Sequence, residues 1–183
     1  MKQRELGRTG INVSEMCLGT MTFGTQTSEA ESHAQMDMAL AHDVQFWDCA
    51  EMYPVNPLTK ETQGDSERIL GNWFEKTGRR SEVVLATKHS GEGHMNVRDG
   101  APISSKTIPE AIEGSLKRLK TDVIDLYQFH WPNRGSYMFR KNWSFDPSGQ
   151  SRDETIAHME DALGALQKEV ERGTIRAFGL SNE

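Results

Sequence analysis

Cysteine is almost missing from this chain: Cys17 and Cys49 are the only two in 183 residues. A small scaffold stapled by several disulfides is therefore excluded. Both cysteines fall in strand-like or strand-end segments, where they are read as free, buried thiols. Long apolar runs are absent too. The opening Met1-Lys2-Gln3-Arg4-Glu5-Leu6-Gly7 has no stretch of signal-peptide length, and no segment approaches the roughly 18 apolar residues of a membrane span. The expected location is the reducing cytoplasm, so the sequons Asn12-Val13-Ser14 and Asn142-Trp143-Ser144 carry no weight. Positive charge is not in excess. With 21 Lys and Arg against 27 Asp and Glu the net charge is −6, which argues against a surface for nucleic acid. The one basic run, Lys117-Arg118-Leu119-Lys120, reads as the solvated end of a helix.

The hydrophobic share of 36% together with sixteen glycines approaches the composition of an ordinary globular domain, while the mean hydropathy of −0.66 lies on the polar side. Residues 2–15 read as a short hairpin turning at Gly7-Arg8-Thr9-Gly10. Strand-like runs and helices then alternate. The first run covers 16–20, and a helix follows from Ser28, where Ser28-Glu29-Ala30-Glu31 matches a capping box and Met36, Ala39 and Leu40 point inward. A second run, 44–47, leads to Asp48. A proline-bearing insertion, Pro54-Val55-Asn56-Pro57-Leu58, separates Tyr53 from a helix containing Ile69, Leu70, Trp73 and Phe74. The third run, 83–87, ends at Lys88, and a polar loop from His89 to Ser105 leads to a second capping-box pattern, Thr107-Ile108-Pro109-Glu110. That helix continues through Ile112, Leu116 and Leu119. A fourth run, 124–129, ends at His130, and the loop from Asn133 to Gln150 reaches a helix marked by Ile156, Met159, Leu163, Leu166 and Val170 and stopped by Gly173. The fifth run is Ile175 to Leu180. Such alternation predicts a parallel sheet with outer helices, without choosing between a barrel and an open doubly wound sheet.

Asp48, Tyr53, Lys88 and His130 sit at or just beyond the ends of three successive runs. Each has a bland reading alone: an Asp caps a turn, a Tyr packs, a His satisfies itself in the core. Together they suit the reduction of a carbonyl. Hydride addition leaves an alkoxide that needs an acid and fixed donors around its oxygen. Tyr53 is the candidate acid, with an unperturbed pKa of about 10. Lys88 is expected to lower that value, Asp48 to hold Lys88 in place, and His130 to orient the carbonyl oxygen. A dinucleotide fingerprint is missing, since Gly91-Glu92-Gly93 lacks the third glycine and the immediate helix. His89 and His94 lack the spacing and third partner of a metal site, so no metal is expected.

The stretches Leu18-Gly19-Thr20-Met21-Thr22-Phe23-Gly24, Trp47-Asp48-Cys49-Ala50-Glu51-Met52-Tyr53, Ala86-Thr87-Lys88, Asp125-Leu126-Tyr127-Gln128-Phe129-His130-Trp131-Pro132 and Gly179-Leu180-Ser181-Asn182-Glu183 resemble the aldo-keto reductase superfamily, in its Tas-like branch, in the family's order. The resemblance implies a (β/α)8 barrel, of which the hairpin would be the amino-end plug and residues 16–183 would supply strands one to five of eight. It implies NADP(H) as hydride donor, a small carbonyl compound as substrate, and Asp48, Tyr53, Lys88 and His130 as the catalytic tetrad. Thr20 and Met21 would lie near the cofactor ribose, Asp48 would also belong to the cofactor-binding set, Ser181 and Asn182 would hold the nicotinamide carboxamide, and Trp131 would line the substrate pocket.

A complete barrel of this kind takes about 250 residues, with about 200 near the lower limit, against 183 here. The family's remaining strands, carrying much of the cofactor grip, would follow Glu183. Three expectations stand side by side: an NADPH-dependent reductase represented by its amino-terminal part and weakly active or inactive alone, a non-catalytic binding module, and a half-barrel that self-associates through open sheet edges. Neither nucleic acid nor a membrane is an expected partner.

Overall fold

In a computed structural model that describes residues 1–138 and 141–182, the chain opens with a two-stranded antiparallel hairpin, β1 (Gln3–Glu5) and β2 (Asn12–Ser14). Five parallel strands follow in spatial order: β3 (Cys17–Gly19), β4 (Phe46–Asp48), β5 (Val84–His89), β6 (Ile124–Phe129) and β7 (Ile175–Leu180). Between them run α1 (Glu29–Ala41), α2 (Asp65–Thr77), α3 (Thr107–Leu119) and α4 (Arg152–Arg172). The expected alternation is present, and the fourth and fifth strand-like runs coincide with β6 and β7. Phe139 and Arg140, within the expected loop after β6, and Glu183, which closes the last motif, lie outside the described residues.

Strand periodicity divides the interior into two layers. The outward face of the sheet and the helices share one core, in which Trp47, Leu85, Tyr127 and Phe129 meet Met36, Leu70, Trp73, Ile112 and Leu166. On the inward face Ala86, Leu126 and Ala177 pack with Ile11 and Val13 of the hairpin. The hairpin is pinned to the amino end of the sheet because Ser14 Oγ accepts from the amides of Gln45 and Phe46, both at 3.1 Å. It therefore floors the inward face.

Local chemistry sets the helix ends. Ser28 and Glu31 form the anticipated capping box on α1, with Glu31 N donating to Ser28 Oγ and Ser28 N to Glu31 Oε2. The second box is displaced by one turn. Thr107 lies inside α3, preceded by Lys106 in helical geometry, and the reciprocal pair is Ser104 and Thr107. Thr107 N donates to Ser104 Oγ at 3.3 Å and Ser104 N to Thr107 Oγ1 at 3.0 Å. The Thr107 hydroxyl is engaged N-terminally, so Glu110 has no capping role. At Gly71 a Cβ would run into the backbone carbonyl of Arg118, so the close approach of α2 to α3 requires glycine there.

Three burial expectations need correction. Cys49 is buried but Cys17 is exposed, because β3 is an edge strand. On α4 the buried positions are Ala162, Ala165, Leu166 and Glu169, while Ile156 is 39% exposed. Ala162, Ala165 and Leu166 seat that helix, with Leu163 and Val170 partly buried against the same core. Lys117-Arg118-Leu119-Lys120 is not simply solvated: Arg118 Nε donates to fully buried Glu67 at 2.7 Å, and Lys120 pairs with Glu75. Thr87 of β5 completes the first cluster through a 2.6 Å bond to Glu67 Oε1.

Candidate active site

The strand ladder explains why residues 40 apart in sequence meet. Asp48 stands opposite Ala86, so Lys88, two residues further along β5, shares its inward face at the carboxyl end of the sheet. Lys88 Nζ donates to Asp48 Oδ2 and to the Cys49 carbonyl, both at 2.6 Å. The ammonium is almost wholly buried, so without these partners it would pay a large desolvation cost. It also lies 5.1 Å from the centroid of the Tyr53 ring, within range of a cation–π contact. The Tyr53 and His130 rings meet edge-on with centroids 5.5 Å apart. The four side chains expected to cooperate are thus brought together.

Tyr53 follows a short loop whose backbone is anchored at both ends. Its amide donates to the Ala50 carbonyl, and its own carbonyl accepts from Gly64 and Ser66 at the start of α2. The insertion from Pro54 to Leu58 is therefore looped out between fixed points. The electrostatics differ from the expectation for Tyr53. Burial, followed by the charge of Asp48 and the Cys49 thiol, raises its pKa above the ordinary phenol value. The positive charge of Lys88 is compensated by Asp48, and it approaches the ring face; Tyr53 is consequently a neutral phenol. Burial and then the Lys88 charge push the pKa of His130 down to about 3, leaving a neutral imidazole.

The residues assigned to a cofactor divide. Ser181 and Asn182, at the end of β7, sit beside the tetrad: Ser181 N donates to the Phe129 carbonyl, and Asn182 Nδ2 donates to the His130 carbonyl at 2.8 Å and to Ser181 Oγ at 3.1 Å. Both are part-exposed and their polar groups suit a carboxamide. Met21 is 45% exposed and follows Thr20, whose amide and hydroxyl both donate to the Asp48 carbonyl. Thr20 itself is fully buried. Its hydroxyl secures the strand carrying Asp48.

Trp131 has a built seat. Its Nε1 donates to the Glu92 carbonyl at 3.2 Å, and a Cβ on Gly91 would collide with its ring and its backbone carbonyl. Gly91-Glu92-Gly93 thus accommodates Trp131, consistent with its failure as a dinucleotide fingerprint.

Sequence reasoning missed a buried network two residues from Tyr53. Glu51 is 1% exposed and takes a bidentate bond from Arg98, at 2.5 and 2.7 Å, together with the Ser90 amide. Arg98 Nη2 also lies 3.2 Å from Nδ1 of buried His89, placed by the sequence reading in a polar loop. Burial pushes the His89 pKa down. The only signal in the sequence was an acidic residue between Ala50 and Met52; nothing pointed to Arg98 as its partner. Among the described residues, no group of three or more His, Cys, Asp and Glu is arranged to hold a metal. No described helix is long and apolar enough to cross a membrane.

The sequence profile of the aldo/keto reductase family matches residues 15–183. Protein tas of Escherichia coli strain K12 is 42% identical over the whole chain, which covers 52% of that protein. The aldo-keto reductase yakc [NADP(+)] of Schizosaccharomyces pombe is 34% identical over 90% of the chain and 40% of its own length. Among solved structures, aldo-keto reductase AKR11C1 of Bacillus halodurans in its holo form superposes with a TM-score of 0.72 at 30% identity, over 99% of this chain and 50% of that one. The chain spans about half the length of the curated relatives it matches. A floored parallel sheet that reproduces half of such a barrel, matched in sequence from the residue after the hairpin onward, establishes that the chain belongs to the aldo/keto reductase family.

Proposed function

We propose that this chain carries the proton-delivering part of an NADP(H)-dependent reductase of aldehydes or ketones. The observation that carries the reading is the buried Lys88 ammonium, paired with half-buried Asp48 and set against the Tyr53 ring, with His130 meeting that ring edge-on. Tyr53 gives its phenolic proton to the carbonyl oxygen as alkoxide character develops; alkoxide is a far stronger base than phenolate. Lys88, fixed by Asp48 and the Cys49 carbonyl, stabilises the phenolate that remains. Neutral His130 orients the substrate oxygen by hydrogen bonding. The nicotinamide cofactor would supply the hydride, with Ser181 and Asn182 holding its carboxamide and Met21 beside its ribose. Trp131 forms a wall of the substrate site. A cytoplasmic protein acting on a small carbonyl compound fits this chemistry.

The test is NADPH oxidation at 340 nm with 4-nitrobenzaldehyde, comparing the unaltered sequence with Tyr53→Phe, each placed within a complete barrel. Turnover that disappears with the hydroxyl supports the reading; equal turnover overturns it. A second reading, a half-barrel that self-associates, is favoured by β3 and β7, each of which has a neighbour on one side only. A dimer of the 183-residue chain on gel filtration would favour it.

A further inference from the structure

The proton transfer proposed above makes no use of Glu51, a carboxylate 1% exposed and two residues from Tyr53. Its amide donates to the Lys88 carbonyl at 3.2 Å and its Oε1 accepts from the Ser90 amide, so Glu51 is fastened on either side of His89. The His89 carbonyl in turn accepts from the His130 amide at 2.9 Å. Towards Tyr53, the Glu51 carbonyl accepts from Gln63 Nε2 at 2.6 Å, which ties the far end of the insertion to the same point. The loop bearing Tyr53 is thereby fastened to the strand bearing Lys88.

The Glu51 carboxylate also takes both terminal nitrogens of Arg98. Arg98 and Asp99 have φ of +47° and +51°, and Gly100 follows at +77°. Two successive non-glycine residues in the left-handed region persist only where their surroundings hold them, and the ion pair supplies that hold on Arg98. Across the turn, Gly93 N donates to the Gly100 carbonyl at 3.0 Å, closing the loop whose Glu92 carbonyl receives the Trp131 indole. Replacing a buried ion pair by apolar residues is often neutral for stability, so the value of this one lies in fixing a single arrangement.

We propose that Glu51 is a positioning residue for carbonyl reduction: gripped by Arg98, it holds the Tyr53 loop against the loop that seats Trp131, so that proton donor and substrate wall keep one spacing. In this role Glu51 touches neither substrate nor cofactor. Its consequence for turnover rests on the reductase reading, but the grip itself does not.

The grip is read in the 183-residue chain by amide hydrogen exchange, with Gly93 and Gly100 of the loop compared with Leu85 and Tyr127 of the central strands. Glu51→Gln keeps the shape and removes the charge; the two loop amides are expected to exchange about tenfold faster, and the two strand amides to stay within about twofold. In a complete barrel the same change should lower kcat for 4-nitrobenzaldehyde about tenfold to a hundredfold, as for a reacting group displaced by about an ångström, with little change in NADPH affinity. Arg98→Lys, which keeps a cation beside the carboxylate, should lose less on both readouts than Arg98→Met. Glu51→Gln combined with Arg98→Met leaves no buried charge unpaired and should still show the fast loop and the low kcat. Faster loop exchange without loss of kcat, loss of kcat with Gly93 still protected, or equal acceleration at all four amides would each overturn the proposal. Loop exchange that responds as expected, in a complete barrel that never reduces the aldehyde even when unaltered, would instead refute the reductase reading and leave the grip standing.

Discussion

At the scale of single residues, the structure fixes protonation states as well as positions. His130 is held neutral, with its pKa near 3 against an ordinary value of 6.5. An unfolded chain therefore binds a proton at this position between those values that the folded chain does not, so stability present above pH 6.5 is lost as pH falls toward 3. Each such group contributes at most about 1.4 kcal/mol per pH unit. His130→Gln should flatten the decline, a result visible in urea midpoints measured at pH 6 and at about pH 4.5; an unchanged slope would contradict the neutral imidazole. The corresponding expectation for Tyr53 is optical. Its raised pKa means that subtracting the alkaline absorbance titration of Tyr53→Phe from that of the unaltered chain yields no tyrosinate signal at pH 10. Within a complete barrel, Tyr53→Phe should reduce turnover by ~10²- to 10⁴-fold with little change in NADPH affinity. Lys88→Met and Asp48→Asn should be non-additive, since one ion pair mediates both effects. Additive losses in the double-mutant cycle would rule out the coupled role.

At the scale of elements, buried charges link pieces that apolar packing alone does not specify. Glu67 of α2 receives Arg118 from α3 and Thr87 from β5. Replacing Arg118 with Met leaves a buried carboxylate without its cation and should cost about 3–5 kcal/mol, measured by chemical denaturation. Changing Glu67 and Arg118 together to apolar residues should recover much of it. None of this was legible in sequence: charge on an amphipathic helix looks solvated until the partner helix arrives, and the glycine at 71 is what allows α3 that near. The tetrad was legible for the opposite reason. Asp48, Lys88 and His130 follow short β-runs whose ends all lie on one side of a parallel sheet, so strand order alone predicts their meeting. Capping was legible at Ser28, where one Ser-x-x-Glu pattern competes with nothing, and misread at Thr107, where Ser104 offers an equivalent hydroxyl one turn earlier.

At the scale of the whole molecule, the sheet has two unequal margins. Beside β3, Met16 and Met38 are exposed, and around β7 and α4 so are Leu180 and Ile156. A parallel sheet normally covers such strands on both sides. The 183-residue chain by itself is expected to associate with increasing concentration and to bind NADPH poorly; light scattering with a fluorescence titration checks both, and a monomer binding at low micromolar concentration would contradict them. The proposed chemistry is sheltered from these margins. Asp48, Lys88 and His130 belong to β4, β5 and the end of β6, each strand flanked on both sides, whereas Met21 and the Ser181–Asn182 pair follow the marginal strands. Chains emerge from the ribosome amino end first and fold as they lengthen. The groups proposed to handle the proton consequently find their strand neighbours within β3 to β7 and can be placed as soon as these five strands have emerged, whatever strands a complete barrel adds after them.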